Sequence, residues 1–182
     1  MSEELLIRCC APTLASMKTG SMFSCPFASR EEMTKELCQV NRRLRHKGVR
    51  ALPLRFRENT GLVYVYRPGQ LHRDIREKTA CNLLRDRGYP CENAALCIRR
   101  LMDRIDRQQD FPHEVGLFLG YPPGDVDGFI HRRDEYTLSG KWKVYGDAEK
   151  AKHTFAKYKK CTDVYLKKLS DGRSLEKLTV SS

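Results

Sequence analysis

From Arg30 to Leu44 the apolar residues Met33, Leu37, Val40 and Leu44 recur every three or four positions, which predicts a helix with one buried side. Ser29 followed by Glu32 forms a capping-box pattern at its start, and Gly48 stops it after about Lys47. Ser2 can cap a shorter helix over Glu3 to Cys9, with Ala11-Pro12 as its end and a loop or strand over Thr13 to Phe23. Arg50 to Tyr66 changes to a period of two and reads as a β-hairpin turning at Glu58 to Gly61. Its expected register sets Phe56 opposite Val63 and Leu54 opposite Val65, and leaves Arg55, Arg57, Tyr64 and Tyr66 together on the other face. Pro68 opens a helix carrying Leu71, Ile75, Leu83 and Leu84 to Gly88. Asn93 caps another, with Cys97, Ile98, Leu101, Met102 and Ile105 inward. Asp147 caps the last long helix, whose stripe runs from Ala151 to Leu169, and Leu175, Leu178 and Val180 of the tail dock.

The densest segment lies between these helices, at Phe111 to Gly146. Pro112 breaks the preceding helix. The apolar run Val115 to Leu119 reads as a strand buried on both faces and central in its sheet. Gly120 to Gly124 turns, Asp125 to Ile130 forms a short helix, and Gly140 to Tyr145 alternates as a strand. Trp142 and Val144 occupy one face of that strand, and Lys141, Lys143 and Tyr145 the other. A hairpin followed by a separated strand pair argues for an α+β fold over regular βα alternation. The expectation is a single domain over residues 1–182, with a mostly antiparallel sheet of about five strands and helices mainly on one face.

Composition adds a partner class. The net charge is +11, which favours a small anionic ligand, nucleic acid or an acidic protein, or serves only solubility. No run approaches the roughly 18 apolar residues of a membrane span, and MSEELLIRCC is not a secretory signal. A cytoplasmic protein is expected, with no membrane partner. Eight cysteines without a CxxC fit reduced thiols rather than a zinc ribbon or a disulfide framework. Cys9, Cys10 and Cys25 keep a redox or metal role open, and no metal ligand set is assigned.

FPHEVGLFLGYPPGDVDGFI, GKWKVYGDAEKAKHTFAKYKKCT, SLEKLTV at Ser174 to Val180 and the Cys10 to Cys25 stretch together resemble a bacterial family, domain of unknown function 3793. Its members come mostly from anaerobes. Lys141 and Asp127 depart from the family pattern, and neither touches His113-Glu114. The resemblance implies a class and a compartment; it carries no activity or cofactor.

Individual residues narrow the chemistry further. His113-Glu114 is not a HExxH zinc motif, because Leu117 stands where the second histidine would be. GYPPGD lacks the Gly-Lys-Ser/Thr end of a phosphate loop, and no GxSxG or GxGxxG is present. Cys10 with Lys18 would make a nucleophile with an activating cation. Arg42 to Arg57 is basic without an acid, which serves a helix end, an edge strand or a polyanion.

Two functions stay open, with a purely structural partner protein as a third possibility. One is binding of a small anionic ligand or cofactor, with catalysis left open, by His113, Glu114, Tyr121 and Trp142, joined by Cys10 and Lys18. In that reading His113 and Glu114 lie at the pocket rim, and strand alternation turns His113 toward the cavity and Glu114 toward a basic residue or a turn N–H. The other is a nucleic-acid or acidic-protein module on a basic, tyrosine-bearing sheet face of Arg55, Arg57, Tyr64 and Tyr66, continued by Lys143 and Tyr145.

Overall fold

The computed structural model describes residues 1–107 and 110–181. It is α+β, 55% helix and 15% strand, so helices rather than a sheet dominate. The chain divides into two compact units, one formed by Met1–Gly69 with Lys160–Ser182 and the other by Gln70–Lys159.

The first unit carries a three-stranded antiparallel sheet with order β1-β3-β2, built from β1 (Gly20–Pro26), β2 (Arg50–Arg57) and β3 (Thr60–Tyr66). The face bearing Cys25, Ala51, Val63 and Val65 packs on α1 (Glu3–Leu14), α2 (Arg30–Leu44) and α9 (Leu175–Leu178). Leu6, Ile7, Cys10 and Leu14 come from α1, and Met33, Leu37, Val40 and Leu44 from α2, as their spacing requires. Ser29 Oγ accepts from Glu32 N at 3.1 Å, which caps α2, and Gly48 ends the helix region at φ 76°. Pro12 does not end α1. It sits in the last turn, where only the bond to the carbonyl four residues earlier is lost, and the helix continues to Leu14.

The hairpin register differs from the expected one. The loop is Glu58-Asn59, so Arg57 pairs with Thr60 and Phe56 with Gly61. A bulge at Leu54 shifts the pairing again, setting Pro53 opposite Val63 and Ala51 opposite Val65. The slip of two at the turn preserves side-chain parity, so Arg55, Arg57, Tyr64 and Tyr66 do share the face opposite the core.

Arg67 follows β3 and is only 1% exposed. It donates to Thr13 O and Leu14 O at 2.6 Å each and to Val180 O at 2.8 Å. Two of these carbonyls belong to the C-terminal end of α1, where the helix dipole is negative, so backbone oxygens help to balance the buried cation.

The second unit is mostly helical. The stretch expected as one helix from Pro68 is two, α3 (Pro68–Asp74) and α4 (Lys78–Arg85), the latter capped by Glu77 accepting from Ala80 N at 3.0 Å. α5 (Ala94–Arg107) starts at Asn93, whose Oδ1 accepts from Ala95 N at 2.9 Å. It buries Cys97, Ile98, Leu101 and Ile105.

The expected central strand at Val115 to Leu119 is instead α6, a single turn at Val115–Phe118. Leu117 N donates to Glu114 O and Leu119 N to Val115 O, so the segment's own carbonyls satisfy it and no neighbouring strand is needed. α7 (Pro123–His131) follows, with proline at its start. A Cβ on Gly116 would lie 2.8 Å from Val126 Cγ2, and one on Gly128 would lie 2.3 Å from the Tyr145 ring. Both glycines allow α7 to be approached closely.

β4 (Leu138–Ser139) and β5 (Lys143–Val144) pair only with each other, so the five strands form two small sheets rather than one. Lys143 therefore belongs to a different sheet from the hairpin, and Tyr145 follows it there. α8 (Ala148–Ser170) begins at Asp147, whose Oδ1 accepts from Lys150 N at 3.0 Å. Its first twelve residues belong to the second unit and the remainder to the first.

Candidate functional site

Pro112, the α6–α7 turn and β5 bring the conspicuous residues of the central segment together within the second unit. They enclose a pocket of about 450 Å³ lined by Phe111, Pro112, His113, Val115, Gly116, Tyr121, Asp125, Val126, Phe129, Arg133, Trp142 and Lys143, with Asp110 also at its edge. The walls are aromatic. Trp142 stacks on Tyr121 at 4.7 Å between centroids and meets Phe155 edge-on at 4.6 Å. His113 stands edge-on to Phe129 at 4.9 Å. Tyr121 donates its hydroxyl to Lys141 O at 3.3 Å, and burial raises its pKa.

Asp125 holds this wall. It is 6% exposed and sits in the first turn of α7. Oδ2 accepts from Trp142 Nε1 at 2.8 Å, and Oδ1 accepts from Tyr145 N at 2.8 Å and Gly146 N at 3.0 Å. One carboxylate thereby fixes the indole and the end of β5. The short-helix pattern placed Asp125 at a helix start, but no sequence signal reveals an acceptor for groups 17 to 21 residues away.

His113 and Glu114 point to different places, for a reason other than strand alternation. In the turn entering α6, His113 faces the pocket while Glu114 is 2% exposed. Tyr89 donates its hydroxyl to Glu114 Oε1 at 2.7 Å, Arg104 Nε lies 2.7 Å from the same oxygen, and Arg87 Nε lies 3.8 Å from Oε2. Burial and the neighbouring Glu114 charge push the Tyr89 phenol well above its ordinary pKa, so it remains a donor. Glu114 thus holds basic residues, as expected of it, and does not line the aromatic pocket.

Cations surround the pocket. Arg133 stands over the Phe129 ring at 5.6 Å, and Lys143 Nζ lies 4.4 Å from the Tyr136 ring centre and donates to Arg133 O at 3.2 Å. A second cavity, of about 460 Å³, shares Trp142 and Asp125 but is lined mainly by glycines, hydroxyls and the start of α8.

The other candidate residues lie elsewhere. Cys10 is completely buried in the first unit, and that burial pushes its thiol far up, against a smaller lowering by Lys18. A buried protonated thiol is not a nucleophile, so the Cys10–Lys18 pairing is corrected to a core cysteine beside a half-buried lysine. Tyr64 is also fully buried and stacks on Tyr66 at 4.7 Å, so it offers no open ring for a base. Arg57 is exposed and Arg55 half-buried. Among the described residues no group of three or more His, Cys, Asp or Glu is placed to hold a metal ion, and no helix is long and apolar enough to cross a membrane.

A family model described as Protein of unknown function (DUF3793) matches residues 6–179. The chain belongs to that family. No curated protein and no solved structure matches it. Within this family member, the stretch from Phe111 to Phe129 and the Trp142 strand supply nearly all of the aromatic pocket's lining.

Proposed function

We propose that this is a cytoplasmic protein that binds a small anionic ligand with a flat apolar body, in the pocket walled by Tyr121, Phe129 and Trp142. The observation that carries this reading is the pocket's chemistry. Four aromatic side chains line about 450 Å³ of space, and His113, Arg133 and Lys143 bring positive or protonatable groups to it. One of its two acids, Asp125, is already spent on three donors. Rings favour a planar apolar body, and the cations favour a negative substituent. His113 donates to or accepts from that ligand through a ring nitrogen, its ring packed at right angles to Phe129. The chain's net charge of +11 supports an anionic partner in the same way.

Native mass spectrometry on protein purified from its own host, wild type against His113→Ala, tests this. The expected result is a retained small molecule in the wild type that is depleted in a variant of similar melting temperature. Full ligand occupancy in a variant that melts much earlier would make His113 a structural histidine and overturn its role.

A further inference from the structure

A smaller cavity adjoins the aromatic pocket at Pro112 and His113. It measures about 160 Å³, shares Asp110, Phe111, Pro112 and His113 with that pocket and adds Arg87, Arg104 and Glu114. The two guanidiniums are sheltered, with side chains 20% and 21% exposed, whereas Arg133 is exposed and Lys143 is half-buried. A sheltered cation is screened less by water and salt and grips an anion more firmly.

Glu114 is the acid already between them, and it does not exhaust them. Arg104 Nε is close to Oε1, yet among the described residues it has no acceptor along its N–H direction. Arg87 Nε is 3.8 Å away, beyond hydrogen-bond range, and its Nη1 donates to Leu83 O at 2.9 Å. Each guanidinium carries five N–H groups, and one carboxylate that also accepts from Tyr89 satisfies few of them. Such forks match the paired oxygens of a carboxylate or a phosphate.

We propose that Arg87 and Arg104 form the anion subsite of the ligand pocket, with Glu114 as its resident counter-ion. The inference rests on the aromatic pocket being the ligand site, and it names the ligand class. That class is an aromatic or otherwise flat body ending in a single carboxylate or phosphate, the body against Trp142 and Phe129 and the oxyanion past His113 beside the arginines. Glu114 orients the guanidiniums and opposes the incoming charge, so it sets affinity downward.

Calorimetric titration with 1-naphthol and 1-naphthyl phosphate tests the assignment, because the two probes share a body and differ in the charged group. Wild-type protein is expected to prefer the phosphate. Arg87→Gln, chosen because its ion pair with Glu114 is long, should lose roughly tenfold for the phosphate, the size of one charge-assisted hydrogen bond, and nothing for naphthol. Glu114→Gln keeps an acceptor for Tyr89 and removes the opposing charge, so it should bind the phosphate more tightly and naphthol unchanged. A gain of affinity cannot come from misfolding. If Glu114→Gln does not fold, Arg87→Gln decides alone. Equal binding of both probes by wild type, or a phosphate preference unmoved in the folded variants, overturns the anion subsite and leaves the aromatic pocket standing. Binding of neither probe overturns the pocket reading and the subsite together.

Discussion

At the scale of single residues, buried polar groups decide what the second unit can be. Asp125 and Glu114 are both carboxylates nearly removed from water, and each remains so because several donors converge on it. Asp125→Ala would leave the Trp142 indole N–H and two backbone N–H groups without their acceptor. Its expected cost is roughly 3 kcal/mol, given about 1–3 kcal/mol for each buried donor left unmet and partial access of water to this site. Asp125→Asn should cost less, since its carbonyl oxygen can still accept from the two backbone groups and only the indole N–H loses its acceptor. Denaturant unfolding followed by Trp142 fluorescence measures both. An alanine variant within about 0.5 kcal/mol of wild type would show that the carboxylate does not hold the wall. Little of this was legible in the sequence. Trp142, Tyr121 and His113 stood out as rare residues in a dense segment, whereas a carboxylate's partners depend on how the chain returns to it.

At the scale of elements, helices with long amphipathic stripes and caps were readable, because each is determined within its own window. The five residues Val115 to Leu119 were not, since a short apolar run fits a buried strand and a buried helical turn alike. The hairpin was recognisable but its register was not, as the bulge at Leu54 leaves no mark in the alternation.

The tail is an element whose docking can be tested by pH. Arg43 of α2 donates to both Glu3 of α1 and Glu176 of α9, with Nη2 at 2.8 Å from Glu176 Oε2, and Glu3 Oε2 accepts from Leu175 N at 3.0 Å. The Arg43 hydrogen bonds hold the Glu176 carboxyl down to about 2, below its ordinary 4.5. A folded pKa that is depressed means stability present above pH 4.5 and lost as pH falls toward 2. The side chains are 36% and 32% exposed, so solvent screening limits the contribution to about 1 kcal/mol or less. Glu176→Gln should therefore lose less stability than wild type across that window and differ little from itself between neutral pH and the top of it. Equal acid-induced losses in the two proteins would remove Glu176 from the account.

At the scale of the molecule, composition was informative about class, while the length of the chain led to the expectation of a single domain. Helices with strands on a basic chain were expected, while the separation into two small sheets follows from β4 and β5 pairing only with each other. The cysteines are the property spread most widely over both units, and they give a test of the whole fold. All eight are free thiols. Only Cys38 is exposed; Cys10, Cys25, Cys91 and Cys97 are buried, and Cys9, Cys81 and Cys161 are half-buried. Burial raises the thiols of Cys9, Cys25 and Cys161, pushes Cys97 up to about 11 and Cys91 up to about 12, and so depletes the thiolate that reacts. Cys91 is held further by donating to Cys81 O at 3.3 Å, and Cys97 by donating to Pro90 O at 3.1 Å. An aromatic disulfide reagent near neutral pH should then consume one equivalent quickly in the native protein, and Cys38→Ser should abolish that phase. The remaining thiols should react at the rate of local or global opening, Cys81 first. In denaturant without reductant the total should reach eight. Rapid reaction of several thiols in the native Cys38→Ser variant would mean that the packing of α1, α4 and α5 is looser than described.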